Sequence, residues 1–379
     1  MNKKNVLIVA HKFLPQMDNE LIRYLNSNNY PHVLHIYHSF SDAKDRKSFY
    51  KYFENGALVE EGETNDYSYL PEPLLYIKEL WFTIFWTLKK RIKWDDFIAM
   101  DGLCANFGLL LKLFGKVKKV IYWAVDFVPE KRFSSGWKNA IYHQINMNGN
   151  RNADEMWDLS PRMKEAREKF LGLKSSDYKS IKVVPFGMWT ERIKSVSYEK
   201  CEKNTIVFMG HLLPKQGVQL IIDALPIIKK KNQNIRFKII GTGFYENDLK
   251  EKVKSLKLER ECVFLGRINE MEDMEKEVAK SAVAVAPYVK ALDTWSYYAD
   301  PGKVKTYLAC GIPVLLTDIP WNAKDIEKFK AGVIITENPI DIAEKILFIL
   351  DSKTNENYRK NAHNYAKQFN YTQIFSELY

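Results

Sequence analysis

The chain has 379 residues, 46% of them hydrophobic and 27% charged, which excludes a disordered chain and gives length enough for two domains with separate cores. The formal net charge is +10 and is spread along the sequence, which permits an anionic partner such as phosphate groups or an acidic membrane surface but carries no nucleic-acid motif. Cys104, Cys201, Cys262 and Cys310 are far apart, without CxxC or paired histidines, so no zinc site or disulfide framework follows and a reducing cytoplasm is expected.

The chain runs directly into an apolar strand, NVLIVA at Asn5 to Ala10, with no cleavage-site pattern, and no signal peptide is expected. Strand patterns then alternate with helix patterns: VLIVA (6–10), VLHIYH (33–38), a helix at 72–93, FIAMD (97–101), a helix at 103–115, VIYWAVD (120–126), EMWDLS (155–160) and VVPF (183–186). The most apolar helix, Leu74 to Leu88, is interrupted by Lys78 and Glu79 and falls short of the roughly 20 apolar residues that span a bilayer. The period lapses between Gly187 and Lys203 and then restarts: TIVFMG (205–210), a helix at 216–231, IRFKIIG (235–241), a helix at 246–257, VFLG (263–266), a helix at 270–280, VAVAPY (283–288), PVLLT (313–317) and GVIIT (332–336), with helices from Pro339 onward. Alternation of this kind predicts parallel sheets wrapped by helices on both faces. The expected organisation is a Rossmann-like domain at 1–190, a linker at 191–203, a second Rossmann-like domain at 204–355, and a closing helical segment at 356–379 that returns to the first. In such doubly wound domains ligands sit outside the carboxyl ends of the strands, so a central cleft between the two is the expected site.

The richest stretch runs from Pro287 to Thr317. A strand end and a polar loop lead to a helix that starts near Gly302, where unpaired N–H groups and the positive end of the dipole favour an anion. Lys303 in that first turn works against the dipole unless an anion is bound, and a phosphate is the commonest candidate. Glycine-bearing loops recur at other strand ends: Gly210 to Leu225 with Lys215 at its mouth, Gly241 and Gly243 around Thr242, and Gly266 followed by Arg267. The GTG at 241–243 falls short of a dinucleotide fingerprint.

The segments VFMGHLLPKQGVQLIIDAL, FKIIGTGFYENDL, VFLGRI, VAVAPY and DPGKVKTYLACGIPVLLTD, in this order, resemble the nucleotide-sugar-dependent glycosyltransferases of the two-Rossmann-domain GT-B fold, in particular the large retaining family 4. The resemblance covers about Thr205 to Ile335; in the first half it extends to WAVDFVP (123–129) and VVPFG (183–187). It implies that Lys215 and Lys303 contact the donor diphosphate, that Gly210, His211, Gly217, Gly241 and Gly243 shape the surrounding loops, and that Gly266 and Arg267 lie beside the base. Asp300, Pro301 and Gly302 would face the donor sugar. Cations and N–H donors of this kind would stabilise the leaving diphosphate without a metal or other cofactor. The family pattern has Arg-Leu where this chain has His211-Leu212, a Lys-Gly pair where it has Gln216-Gly217, and two glutamates where it has Tyr298 and Thr306. Asp300 is then expected to stand in for the first acid, and Thr306 to offer a weaker hydroxyl contact.

In the first half Asp126, closing the strand VIYWAVD, is the expected acceptor base or hydroxyl positioner, with Val125 in the slot where related enzymes carry a histidine. His11 and Asp101, each after a strand, are further candidates, while Ser160 and Arg162 read as an ordinary helix start. Leu80 to Trp94 combines aromatics with a basic end, as an interfacial helix does, and points to peripheral membrane contact through 74–94. The expected activity is transfer of a sugar from a nucleoside-diphosphate sugar to a hydroxyl of a cell-surface or lipid-linked glycan, in the cytoplasm or at the inner face of the plasma membrane. Two other readings stand beside it: a catalytically silent partner that binds nucleotide sugar or glycan, and an epimerase-like enzyme, which would need carboxylate and histidine clusters.

Overall fold

The computed structural model describes residues 3–12, 17–125, 128, 131–292 and 295–379. They form two compact units, Met1–Pro185 with Phe375–Tyr379, and Phe186–Ile374. Among the described residues no helix is long and apolar enough to cross a membrane.

In the first unit β1 (Val6–His11), β2 (His32–His38), β3 (Ser48–Glu54), β4 (Ala57–Glu63), β5 (Trp94–Ala99), β6 (Val117–Ala124), β7 (Glu155–Asp158) and β8 (Ile181–Val183) form one sheet in the order β4-β3-β2-β1-β5-β6-β7-β8. From β2 to β8 the neighbours are parallel. All six residues of β1 are buried, as expected for a parallel strand covered on both faces. Two features lie outside the alternation read from sequence. One is the antiparallel hairpin β3–β4, closed by Asn55 and Gly56 at φ 48° and 82°, the positive values that a two-residue Asn-Gly turn needs. The other is the helix Gly136–Asn152, which packs through buried Asn139, Asn146 and Asn150.

The helix Glu72–Lys89 buries Lys78, Glu79, Thr83 and Thr87 beside Leu75 and Trp86. Its other side leaves Leu74, Ile77, Trp81, Phe85 and Leu88 between 42% and 64% exposed. The segment Phe375–Tyr379 completes the core of the first unit: Phe375 is fully buried, with ring centroids 5.5 Å from Tyr24 and 6.2 Å from Trp123, and Tyr379 lies 5.6 Å from Tyr30 and 6.3 Å from Trp157.

In the second unit β9 (Glu202–Met209), β10 (Arg236–Ile240), β11 (Cys262–Gly266), β12 (Ser281–Ala286), β13 (Val314–Leu316) and β14 (Gly332–Ile334) form a parallel sheet in the order β11-β10-β9-β12-β13-β14. Numbered from β9, this is the 3-2-1-4-5-6 order of the dinucleotide-binding fold, which reverses between β9 and β12. Alternation along the strands feeds two apolar layers: Val207, Ala284 and Ala286 face one, Ile206, Phe208, Val283 and Val285 the other. The segment expected as a linker, 191–203, packs on this unit: Ile193 enters its core, and Arg359 Nη2 donates to the Val196 carbonyl at 2.6 Å. Of the closing segment 356–379, residues through Ile374 belong to the second unit and only Phe375–Tyr379 to the first.

Candidate functional site

In the second unit the strand order reverses between β9 and β12, and the glycine loops gather there. The Gly210 N–H donates to Ile240 O at 2.9 Å and the Gly241 N–H to Gly266 O at 2.8 Å, so Gly210, Gly241 and Gly266 line up along the carboxyl ends of three adjacent strands. At Gly241, with φ 130°, a Cβ would fall 1.9 Å from Gly210 O; at Gly217, with φ 76°, it would fall 1.6 Å from Pro287 O. Only glycine allows backbone to approach backbone so closely. The loop that carries Lys215 is tied down in the same way, its carbonyl accepting the Val289 N–H at 3.0 Å. Gly243 lies in the next loop, while His211 and Arg267 are exposed beside their glycines.

Lys303 leaves the first turn of the helix Gly302–Ala309 and reaches back over this edge. Its Nζ sits 4.4 Å from the Phe208 ring centroid and 4.9 Å from that of Tyr288, and donates to Gln216 Oε1. A Cβ on Gly210 would come within 3.0 Å of it. Two aromatic faces attract the ammonium through their quadrupoles. The helix start itself, at Pro301, has no side-chain cap, and space opens around Gly302. A cation and uncapped backbone donors at one strand edge can hold an anion.

Asp300 corrects an expectation. It is 2% exposed, its Oδ2 accepts from the Phe186 N–H at 2.7 Å and from Lys305 Nζ, and its Oδ1 accepts from Trp321 Nε1 at 2.8 Å. Burial draws the Lys305 ammonium below its usual range against the pull of Asp300. Both carboxylate oxygens are thus engaged by protein donors, and the residue is a clamp rather than an acid facing a sugar. Thr306, also buried, donates to the Gly302 carbonyl of its own helix at 3.3 Å.

The first unit has its own reversal point, between β1 and β5. His11 ends β1, and Asp101 caps the helix Gly102–Leu113 that follows β5, its Oδ1 accepting the Cys104 N–H at 2.9 Å. His11 Nδ1 lies 2.7 Å from Asp101 Oδ2 and its Nε2 3.2 Å from Glu79 Oε2. Burial alone would lower the His11 pKa, but the charge of Asp101, with Cys104, holds it well above the ordinary value. Burial would raise the Asp101 pKa, but the charge and hydrogen bond of His11, with the hydrogen bonds from Cys104, together hold it below the usual carboxylate range. Next to this imidazolium, with ring centroids 5.9 Å apart, His38 bonds Ser48 Oγ at 2.7 Å and Thr83 Oγ1 at 3.1 Å. Burial, then the charge of His11, pushes the His38 pKa well below normal. Among the described residues His11, Asp101 and Cys104 are the set whose ligand atoms converge, within 4.8 Å, as a metal site would require.

His11 and Asp101 are thus brought together, while Asp126 lies outside the described residues. Phe208 and Tyr288 were not singled out in the second unit, where Gln216 was noted only as a departure from the family pattern, nor were Glu79, His38 and Thr83 singled out as site residues in the first. One signal for the latter was present: Glu79, Thr83 and Thr87 recur every four residues in an apolar helix, which places them on one polar face.

Two Rossmann-like domains in one chain, the second in the dinucleotide-binding strand order, define the GT-B fold. Solved structures agree over nearly the whole chain: a glycosyltransferase of Rickettsia africae has a TM-score of 0.70 at 14% identity, covering 100% of this chain and 97% of its own. Anabaena HepE in complex with UDP-glucose has a TM-score of 0.67 at 15% identity, covering 99% and 98%. Residues 190–369 match the family model described as Glycosyl transferases group 1. An uncharacterized glycosyltransferase of Methanocaldococcus jannaschii is 30% identical over 161 residues, 41% of this chain and 38% of its own. The chain spans less than half the length of each curated relative it matches.

Proposed function

We propose that the protein is a retaining, metal-independent glycosyltransferase that moves a sugar from a nucleoside-diphosphate donor to a hydroxyl of a cell-surface or lipid-linked glycan. The observation that carries this reading is the position of Lys303 Nζ, held over Phe208 and Tyr288 beside Gly210 at the reversal point of the second sheet. In this reading Lys303 and Lys215 offset the charge that builds on the leaving diphosphate, and the backbone at Pro301 and Gly302 meets the donor sugar. Gly266 and Arg267 border the base, and Asp126 receives or positions the acceptor hydroxyl. UDP is the first nucleotide to try, since the similar HepE structures hold UDP and UDP-glucose. Retention rests on the likeness to family 4. The site of action is the cytoplasmic face of a membrane, contacted peripherally through 74–94, because a lipid-linked acceptor is met there.

One observation favours a second reading, a silent binding partner: with Thr306 and a fully engaged Asp300, no carboxylate at these two positions is open to a sugar. Titration calorimetry with UDP, GDP, ADP and their sugars, with and without Mg²⁺, separates the outcomes. Selective binding of one diphosphate independent of metal, with slow hydrolysis of its sugar, supports the transferase. Binding without turnover on any acceptor supports the silent partner, and no binding at all overturns both.

A further inference from the structure

The helix Glu72–Lys89 is built inside out. Leu74, Ile77, Trp81, Phe85 and Leu88 are spaced by three, four, four and three residues, which draws them into one stripe along the helix, and that stripe faces solvent. The helix cannot roll to bury it, because its polar side is held in place: Glu79 by His11 at 3.2 Å, Thr83 by His38 at 3.1 Å, and Lys78 by Ser48 Oγ at 2.9 Å. The helix Gly136–Asn152, tied to the first by Lys138 Nζ on Glu72 Oε2 at 2.6 Å, carries Trp137 and Ile141, 63% and 50% exposed. An exposed apolar stripe of this kind marks a place where something docks.

Its charge identifies the occupant. Between Pro73 and Leu88 no charged residue of the helix is exposed, and exposed cations flank the stripe, Arg91 and Lys93 beyond one end and Lys131 just before the neighbouring helix. Among the described residues Glu72 is engaged by Lys138 and Tyr76, and Glu60 by Lys89 and Lys90. Exposed Trp81 and Trp137 are the side chains that prefer the boundary between headgroups and acyl chains. A second copy of this chain would bring the same cations against themselves.

We infer that the two-helix surface carrying Leu74, Ile77, Trp81, Phe85, Leu88 and Trp137 docks on a bilayer bearing anionic lipid headgroups. The apolar side chains enter the headgroup boundary and the flanking cations meet lipid phosphates. This deepens the membrane part of the proposed function and rests on it only there; the donor site is tested separately.

The test is co-flotation of the full chain with phosphatidylcholine vesicles, with and without phosphatidylglycerol, while nucleotide binding is measured on the same samples. Wild type is expected to float with the anionic vesicles, and Trp81→Glu/Phe85→Glu to lose about tenfold in bound fraction with its melting temperature and nucleotide binding unchanged. Arg91→Ala/Lys93→Ala should weaken flotation at low salt and flatten its salt dependence. No flotation of wild type on either vesicle, or equal flotation of wild type and the Glu variant, overturns the inference. So does a wild-type dimer by sedimentation that dissociates in the Glu variant without vesicle binding, which would make a second copy the occupant. Flotation without nucleotide binding supports the docking surface and counts against the donor reading alone.

Discussion

The two sheets each reverse strand order once, and they furnish the two reversal points with opposite chemistry. In the second unit the edge is glycine backbone, with Lys303 held over two aromatic faces and donating to Gln216. In the first, ionisable groups are buried against one another: His11 lies between Asp101 and Glu79, and burial and the charge of His11 push the pKa of a second histidine, His38, well down beside it. The difference separates a site built of glycine backbone and aromatic faces around a cation from one built of buried ionisable side chains that bond one another. An imidazolium in the interior persists only with a counter-charge such as that of Asp101 in place.

The comparison can be broken at the clamp that borders the donor edge. Asp300→Ala removes the counter-charge of Lys305, with both side chains 1% exposed, and should cost about 3–5 kcal/mol by urea denaturation; Asp300→Ala/Lys305→Met should recover much of it. A loss under 1 kcal/mol would mean that the pair is not buried in solution. At Lys303 the expected effect falls on the ligand instead of the fold: Lys303→Ala should weaken nucleoside-diphosphate binding about tenfold to a hundredfold by calorimetry, with unchanged melting temperature. Equal affinity would remove Lys303 from the donor site.

The smallest effect, and the one that sharpens the contrast, is the pH dependence of the first unit. The raised His11 pKa gives stability that is full below its ordinary pKa of about 6.5 and is lost as pH climbs through the folded value. The lowered His38 pKa has the opposite sign, its contribution present above about 6.5 and lost as pH falls toward the folded value. His11→Gln should therefore flatten the alkaline limb of the stability profile, and His38→Gln the acid limb. A profile in which neither variant changes its limb would refute the assignment of charges.

Much of the scaffold was legible because parallel strands buried on both faces are nearly continuous apolar runs: VLIVA and VAVAP needed no context. The hairpin β3–β4 was missed although Asn55-Gly56 is a strong turn signal, since β4 is largely exposed and ALVEEGE lacks an apolar face. The helix Gly136–Asn152 escaped because asparagines, not apolar residues, mark its buried side; Asn146, for one, accepts from the Tyr122 hydroxyl at 2.6 Å. Lys303 could be picked out locally, as a cation at the wrong end of a helix. The His11 cluster could not, because Glu79 and Asp101 lie 68 and 90 residues from His11 and only the sheet brings them together. Asp300 was misjudged for a related reason: nothing near it in sequence announces Phe186 or Trp321 as its partners.

The short return of the chain to the first unit sets an order of assembly. Residues 186–374 are synthesised after the first sheet but before Phe375 and Tyr379, whose rings close the pocket formed by Tyr24, Tyr30, Trp123 and Trp157. The unit that leaves the ribosome first therefore cannot complete its core until the residues after Ile374 have been made.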